Sequence, residues 1–203
     1  MAGLEFMSVF KRICKRVLLP LMAIYLALCG IAFTINANLH SEKYAAILIG
    51  DNYIVKHNYL VTPITILGSY PQFNFYFNSK GVRVEYIGHA TGKDLERVLK
   101  DQKYQTIVII GEGNYSTWLD SEGNEIAYFD IRDMMKGRGK KQGEWLQLTC
   151  GQIEYSSIQL GEYAVERGKA YSFGRPVYPW DIFLATFGFY NLRHAGPPVK
   201  GED

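Results

Sequence analysis

The chain has 203 residues, of which 48% are hydrophobic and 21% charged, a balance too apolar for a disordered chain. With the hydrophobic amino-terminal stretch set aside about 160 residues remain, enough for one domain with its own core and too few for two. The net charge of +2 is too small to argue for a nucleic-acid partner, and much of the positive charge sits together in Lys11, Arg12, Lys15 and Arg16.

Those four residues make residues 1–16 a basic stub. No charged residue stands between Val17 and Ile35, and at about 1.5 Å per residue that run reaches roughly 28 Å, close to the ~30 Å hydrocarbon thickness of a bilayer. Residues 17–37 are therefore expected to form one transmembrane helix. The basic flank lies on its amino-terminal side, which puts the amino terminus in the cytoplasm and the rest of the chain outside it. A cleaved signal peptide is the competing reading, since Ala37 is a small residue at a plausible cleavage point, but the apolar run exceeds the usual signal core of about 7–15 residues. A lipoprotein signal is excluded by Leu28, which precedes Cys29 where a small side chain is needed.

Three cysteines are present, Cys14 beside the apolar run, Cys29 inside it and Cys150 alone in the domain. No disulfide can form within that domain, so its stability must come from its core.

The run Tyr44 to Ile49, closed by Gly50-Asp51-Asn52, is short and nearly all apolar, as in a strand buried on both faces. Tyr59 to Phe77 is aromatic and broken by Pro63, Gly68 and Pro71, so at most a short helix is expected in its later half. Val82 to Ile87 alternates as a second strand, and Gly92 to Gln102 carries Leu95, Val98 and Leu99 at helical spacing. Tyr104 to Ile110 is a third strand, ending in Gly111-Glu112-Gly113-Asn114. A small hairpin is expected over Trp118 to Ile126, a short helix near Asp130 to Met135, and a solvated basic loop from Lys136 to Lys141. Trp145 to Cys150 gives a fourth strand, Ile158 to Arg167 a helix stopped by Gly168, and Ile182 to Phe189 a closing apolar helix. Alternating strands and helices predict an α/β fold: a mainly parallel sheet flanked by helices, with ligands beyond the carboxyl ends of the strands. Glu112 and Cys150 both stand at such ends.

The order of parts resembles the caspase-like fold of clan CD cysteine peptidases, the group of caspases, gingipains, legumains and CHAT-type proteases. The resemblance is one of layout and covers residues 44–190, with residues 191–203 a polar tail. It rests on Ile107-Val108-Ile109-Ile110-Gly111-Glu112-Gly113 and Leu146-Gln147-Leu148-Thr149-Cys150-Gly151. In that family the third strand ends in a catalytic His between glycines and the fourth in the nucleophilic Cys. The resemblance implies that imidazole takes the thiol proton while backbone amides hold the oxyanion. Here Glu112 stands where the family has His. A carboxylate with an ordinary pKa of about 4.3 is a poor acceptor for a thiol proton held near 8.5, and its charge opposes thiolate formation. The expectation is a pseudo-peptidase that binds rather than cuts, with Cys150 and Glu112 marking the altered site.

His89, which ends the second strand, is the remaining candidate base for an alternative in which Cys150 serves a cysteine hydrolase. His57, His40 and His194 lie after the first strand, at the membrane junction and in the tail. A DJ-1-like or amidotransferase-like domain would tolerate an acidic neighbour, but residues 151–157 delay the next helix where a nucleophile elbow needs it at once. A structural subunit of a membrane complex is a third reading. Gly111, Gly113 and Asn114 are candidate binding residues, as are Arg175, Trp180 and Asp181 in the proline-punctuated aromatic loop Tyr171 to Asp181. The spacing of Gly111 and Gly113 does not complete a phosphate loop, so no nucleotide is expected, nor any metal or other cofactor. The expected partners are the lipid bilayer and a protein or peptide. Asn114-Tyr115-Ser116 is also a glycosylation sequon.

Overall fold

The computed structural model describes residues 14–51, 60–149 and 158–172. A π-helical turn, Cys14–Leu18, leads into helix α1, Leu19–Asn38. Together they form one helix, Lys15–Asn38, long and apolar enough to cross a membrane. Strand β1, Tyr44–Ile49, is followed by α2, Val61–Asn78, then β2, Arg83–Ile87, and α3, Gly92–Lys100. The chain continues through β3, Tyr104–Gly111, the hairpin β4, Thr117–Leu119, and β5, Glu125–Ala127, and α4, Tyr128–Met134. Strands β6, Trp145–Thr149, and β7, Ala170–Ser172, complete the described elements.

One sheet runs in the order β2-β1-β3-β6-β7 with every pair parallel. The expected mainly parallel α/β sheet is thus present, and the third and fourth long strands are neighbours. β1 is buried on both faces because alternate side chains feed two cores. Ala46 and Leu48 pack with Leu95, Val98, Leu99, Ile107 and Trp145 on the α3 side, while Ala45, Ile47 and Ile49 pack with Phe73, Phe77, Val108 and Leu146 on the α2 side. α3 starts at a capping box, with Thr91 Oγ1 accepting from the Asp94 N–H and the Asp94 carboxylate from the Thr91 N–H.

Four expectations change. The stretch expected to be broken by prolines is one 18-residue helix, α2. Pro63 falls in its first turn, where backbone N–H groups have no helical partner in any case. Pro71 lies inside it and denies the Leu67 carbonyl its usual donor, and the Tyr25 hydroxyl of α1 donates there instead. The basic loop is exposed only as far as Lys140. Lys141 is 1% exposed, its ammonium donates to the Asp101 carbonyl at 2.7 Å, and burial pulls its pKa down to about 8.

Residues 160–165 form turns rather than a helix. Tertiary partners take both ends of this backbone, the Leu160 N–H bonding to the Tyr115 carbonyl and the Ala164 carbonyl accepting from the Lys141 N–H, while the N–H groups of Ala164 and Val165 stay local on Gly161. Gly161 lies so close under the Trp145 ring that a Cβ would stand 2.1 Å from it. Finally, Ala170–Ser172, expected to open an aromatic loop, adds the fifth strand beside β6. The proposed helix from Ile182 to Phe189 lies outside the described residues.

Candidate functional site

The described candidate residues stand at the carboxyl edge of the sheet, whose shape follows from glycine. Gly111 and Gly113 have φ of 145° and 151°, values that L side chains rarely adopt. A Cβ on Gly111 would stand 2.8 Å from the Gly50 carbonyl, and one on Gly113 2.4 Å from that of Thr117. The first glycine lets β3 pass close over the end of β1, and the second lets the chain turn back into the β4–β5 hairpin. Glu112 is half-buried between them, and its carbonyl accepts from the Leu119 N–H at 2.9 Å.

The loop after Glu112 is held from below by β6. Gln147 is fully buried, and its side-chain amide donates to the carbonyls of Asn114 at 2.5 Å and Thr117 at 3.3 Å and to Thr149 Oγ1 at 3.0 Å. Asn114 itself is exposed, and its side-chain oxygen accepts from the N–H and hydroxyl of Ser116. Strand register pairs Gly111 with Thr149. Glu112 and Cys150 are the next residues in each chain segment. Cys150 lies outside the described residues, as do His57, Arg175, Trp180, Asp181 and His194.

His89 occupies another part of the same edge. It carries a positive φ of 51° just after β2, and its Nδ1 meets the carboxylate of Asp51, which follows β1. Asp51 is 1% exposed and the His89 side chain 50%. A carboxylate acceptor makes Nδ1 the protonated nitrogen of the neutral ring and fixes the imidazole plane. The strand order sets β1 between His89 and the Glu112 loop.

The hairpin turn closes over this corner: Ser121 Oγ accepts from the Asp51 N–H at 3.2 Å, and the Ser121 N–H bonds to Ala90 at 3.0 Å. Asp120 is structural, since its two oxygens accept from the N–H groups of Gly92, Glu122 and Asn124 at 2.8 to 3.0 Å. Among the described residues, Asp51 with His89, and Glu112, are the groups of this edge with acid–base or anionic chemistry to offer.

Sequence reasoning passed over Asp51 as a turn residue and Gln147 as part of a strand. A polar side chain in an otherwise apolar buried strand was the available signal for Gln147. Among the described residues, no three His, Cys, Asp or Glu side chains come together to hold a metal ion. Hollows of about 450 Å³ along α3 and about 310 Å³ at the amino edge are lined by none of the candidate residues. No known protein family and no curated protein matches the chain.

Proposed function

We propose that this protein is a membrane-anchored domain of caspase-like layout that has exchanged the catalytic base for Glu112 and acts by binding a protein or peptide segment at the carboxyl edge of its sheet. The observation that carries the reading is the placement of Glu112. It follows β3 in an all-parallel sheet, and the neighbouring strand β6 leads directly into Cys150. A carboxylate at the base position repels thiolate and cannot relay a proton as imidazole does. It remains well suited to a basic or amide-bearing ligand.

The test is alkylation of the full chain in detergent across pH, with peptide mapping to separate Cys150 from Cys14 and Cys29, together with exposure to a mixed peptide library. Slow alkylation of Cys150 at pH 6 and no cleavage are expected. Rapid alkylation at pH 6, or cleavage that Cys150→Ala abolishes, would overturn the reading. Activity gained by Glu112→His would support the layout directly.

The second reading, a cysteine hydrolase, draws on the Asp51–His89 pair, because a carboxylate that orients an imidazole is how a general base is usually held; it requires the nucleophile to reach across β3 and β1, which stand between β6 and β2. Loss of any such cleavage in His89→Ala, with Asp51→Asn impaired as well, would support it. In either case the basic flank of α1 argues for a cytoplasmic amino terminus and a domain on the far side. Protease added to intact cells should then digest the domain.

A further inference from the structure

Helices α1 and α2 run parallel and in register. Asn36 meets Asn78 near their carboxyl ends, with Asn78 Nδ2 donating to Asn36 Oδ1 at 2.9 Å, and Tyr25 meets Leu67 eleven residues earlier in each helix. At about 1.5 Å per residue the two stay together over roughly 16 Å. α1 turns one stripe to the domain, Tyr25, Cys29, Ala32 and Asn36, and leaves its remaining faces apolar and exposed.

α2 is inverted relative to a helix on a water-soluble surface. It has no charged residue from Val61 to Asn78. Its polar side chains Ser69, Gln72, Asn74 and Asn78 are buried, whereas Ile64 and Leu67 are 63% and 57% exposed, with Leu60 one turn earlier on the same face. This apolar stripe lies level with the amino half of α1. By contrast α3, on the other side of the sheet, turns Lys93, Glu96 and Lys100 outward.

We propose that lipid covers this stripe: the lipid-contacting surface continues from α1 onto the first two turns of α2. Continuity with α1 carries the argument, because the stripe extends a surface whose composition already suits hydrocarbon. α2 runs antiparallel to β2, with Thr62 beside His89 and Asn78 bonded to Val82.

The inference rests on α1 being a membrane helix, and one experiment separates the two. The unmodified full chain is reconstituted in phosphatidylcholine–phosphatidylglycerol vesicles that contain lipids with photoactivatable acyl chains, and adducts are mapped by peptide. Adducts are expected on α1 and on the peptide holding Ile64 and Leu67, with none on α3. Adducts on α1 without any on α2 would overturn the inference and leave the anchor standing, whereas absence from α1 would overturn both. A second measurement uses nitroxides at Ile64→Cys and Leu67→Cys in a chain whose own cysteines are serine. Relaxation by oxygen well above that by a water-soluble nickel complex is expected, and the opposite, as at Lys93→Cys, would sink the proposal.

Discussion

The Tyr25 hydroxyl of α1 donates to the Leu67 carbonyl of α2, the one acceptor that Pro71 leaves without its helical donor. A carbonyl orphaned in one helix has thus become the docking point of another. Removing the hydroxyl should leave that carbonyl without its protein donor at the α1–α2 contact, at about 1 kcal/mol. Tyr25→Phe is expected to lower the melting temperature of the full chain in detergent. Pro71→Ala returns an N–H to Leu67, so in that background the loss from Tyr25→Phe should shrink. Equal losses in both backgrounds would mean that the bond contributes nothing to docking.

Asn36 covers the open edge of the sheet. Its side chain accepts from the Val84 N–H at 2.8 Å and donates to the Val84 carbonyl at 3.0 Å, filling the place of a neighbouring strand along β2. Asn36→Leu should strand both backbone groups and destabilise by about 1–3 kcal/mol. The readout is hydrogen exchange at the Val84 amide, which should accelerate at least tenfold while core amides such as Val108 change little.

Gly111 and Gly113 should tolerate no side chain. Gly113→Ala places its Cβ against the Thr117 carbonyl at a backbone conformation closed to alanine, and a loss of about 2 kcal/mol or more is expected. Glu112→Ala, in the same loop, meets neither obstacle and should fold normally. Thermal melts of the two variants distinguish a loop built by glycines from one built around the carboxylate.

Lys141 makes stability depend on alkaline pH. In the unfolded chain a lysine keeps its proton to about pH 10.4, whereas burial in the fold lowers the value for Lys141 to about 8. Between these values the unfolded state binds more protons, so stability rises with pH; below pH 8 the fold carries the full penalty, on the order of 3 kcal/mol. Lys141→Met should flatten this rise, and the measurement is the difference in melting temperature between the two proteins from pH 7 to pH 10.

Much of this architecture was legible in the amino-acid order. Tyr44 to Ile49 and Tyr104 to Ile110 could be recognised as buried parallel strands because an unbroken apolar run of that length suits a sheet covered on both faces. Leu95, Val98 and Leu99 marked α3 by spacing, and the uncharged run from Val17 to Ile35 marked α1 by length alone. These are local signals, set by side-chain periodicity and the dimensions of a helix.

What the tertiary structure decided is wherever a distant group overrode the local one. Pro71 should end a helix by its own chemistry, at about 3 kcal/mol, yet α2 runs on through it: Phe73 and Phe77 are buried against the sheet, and Tyr25, forty-six residues earlier, meets the carbonyl that Pro71 orphans. Residues 160–165 have helical spacing, but the Leu160 N–H goes to Tyr115 and the Ala164 carbonyl to Lys141. The pairing of Asp51 with His89 likewise depends on β1 and β2 lying side by side, which brings together residues that sequence distance keeps apart. Local propensities of ordinary residues are worth tenths of a kcal/mol, whereas burying an aromatic side chain or pairing a buried polar group is worth about 1–3 kcal/mol, so where the two conflict the tertiary contacts prevail.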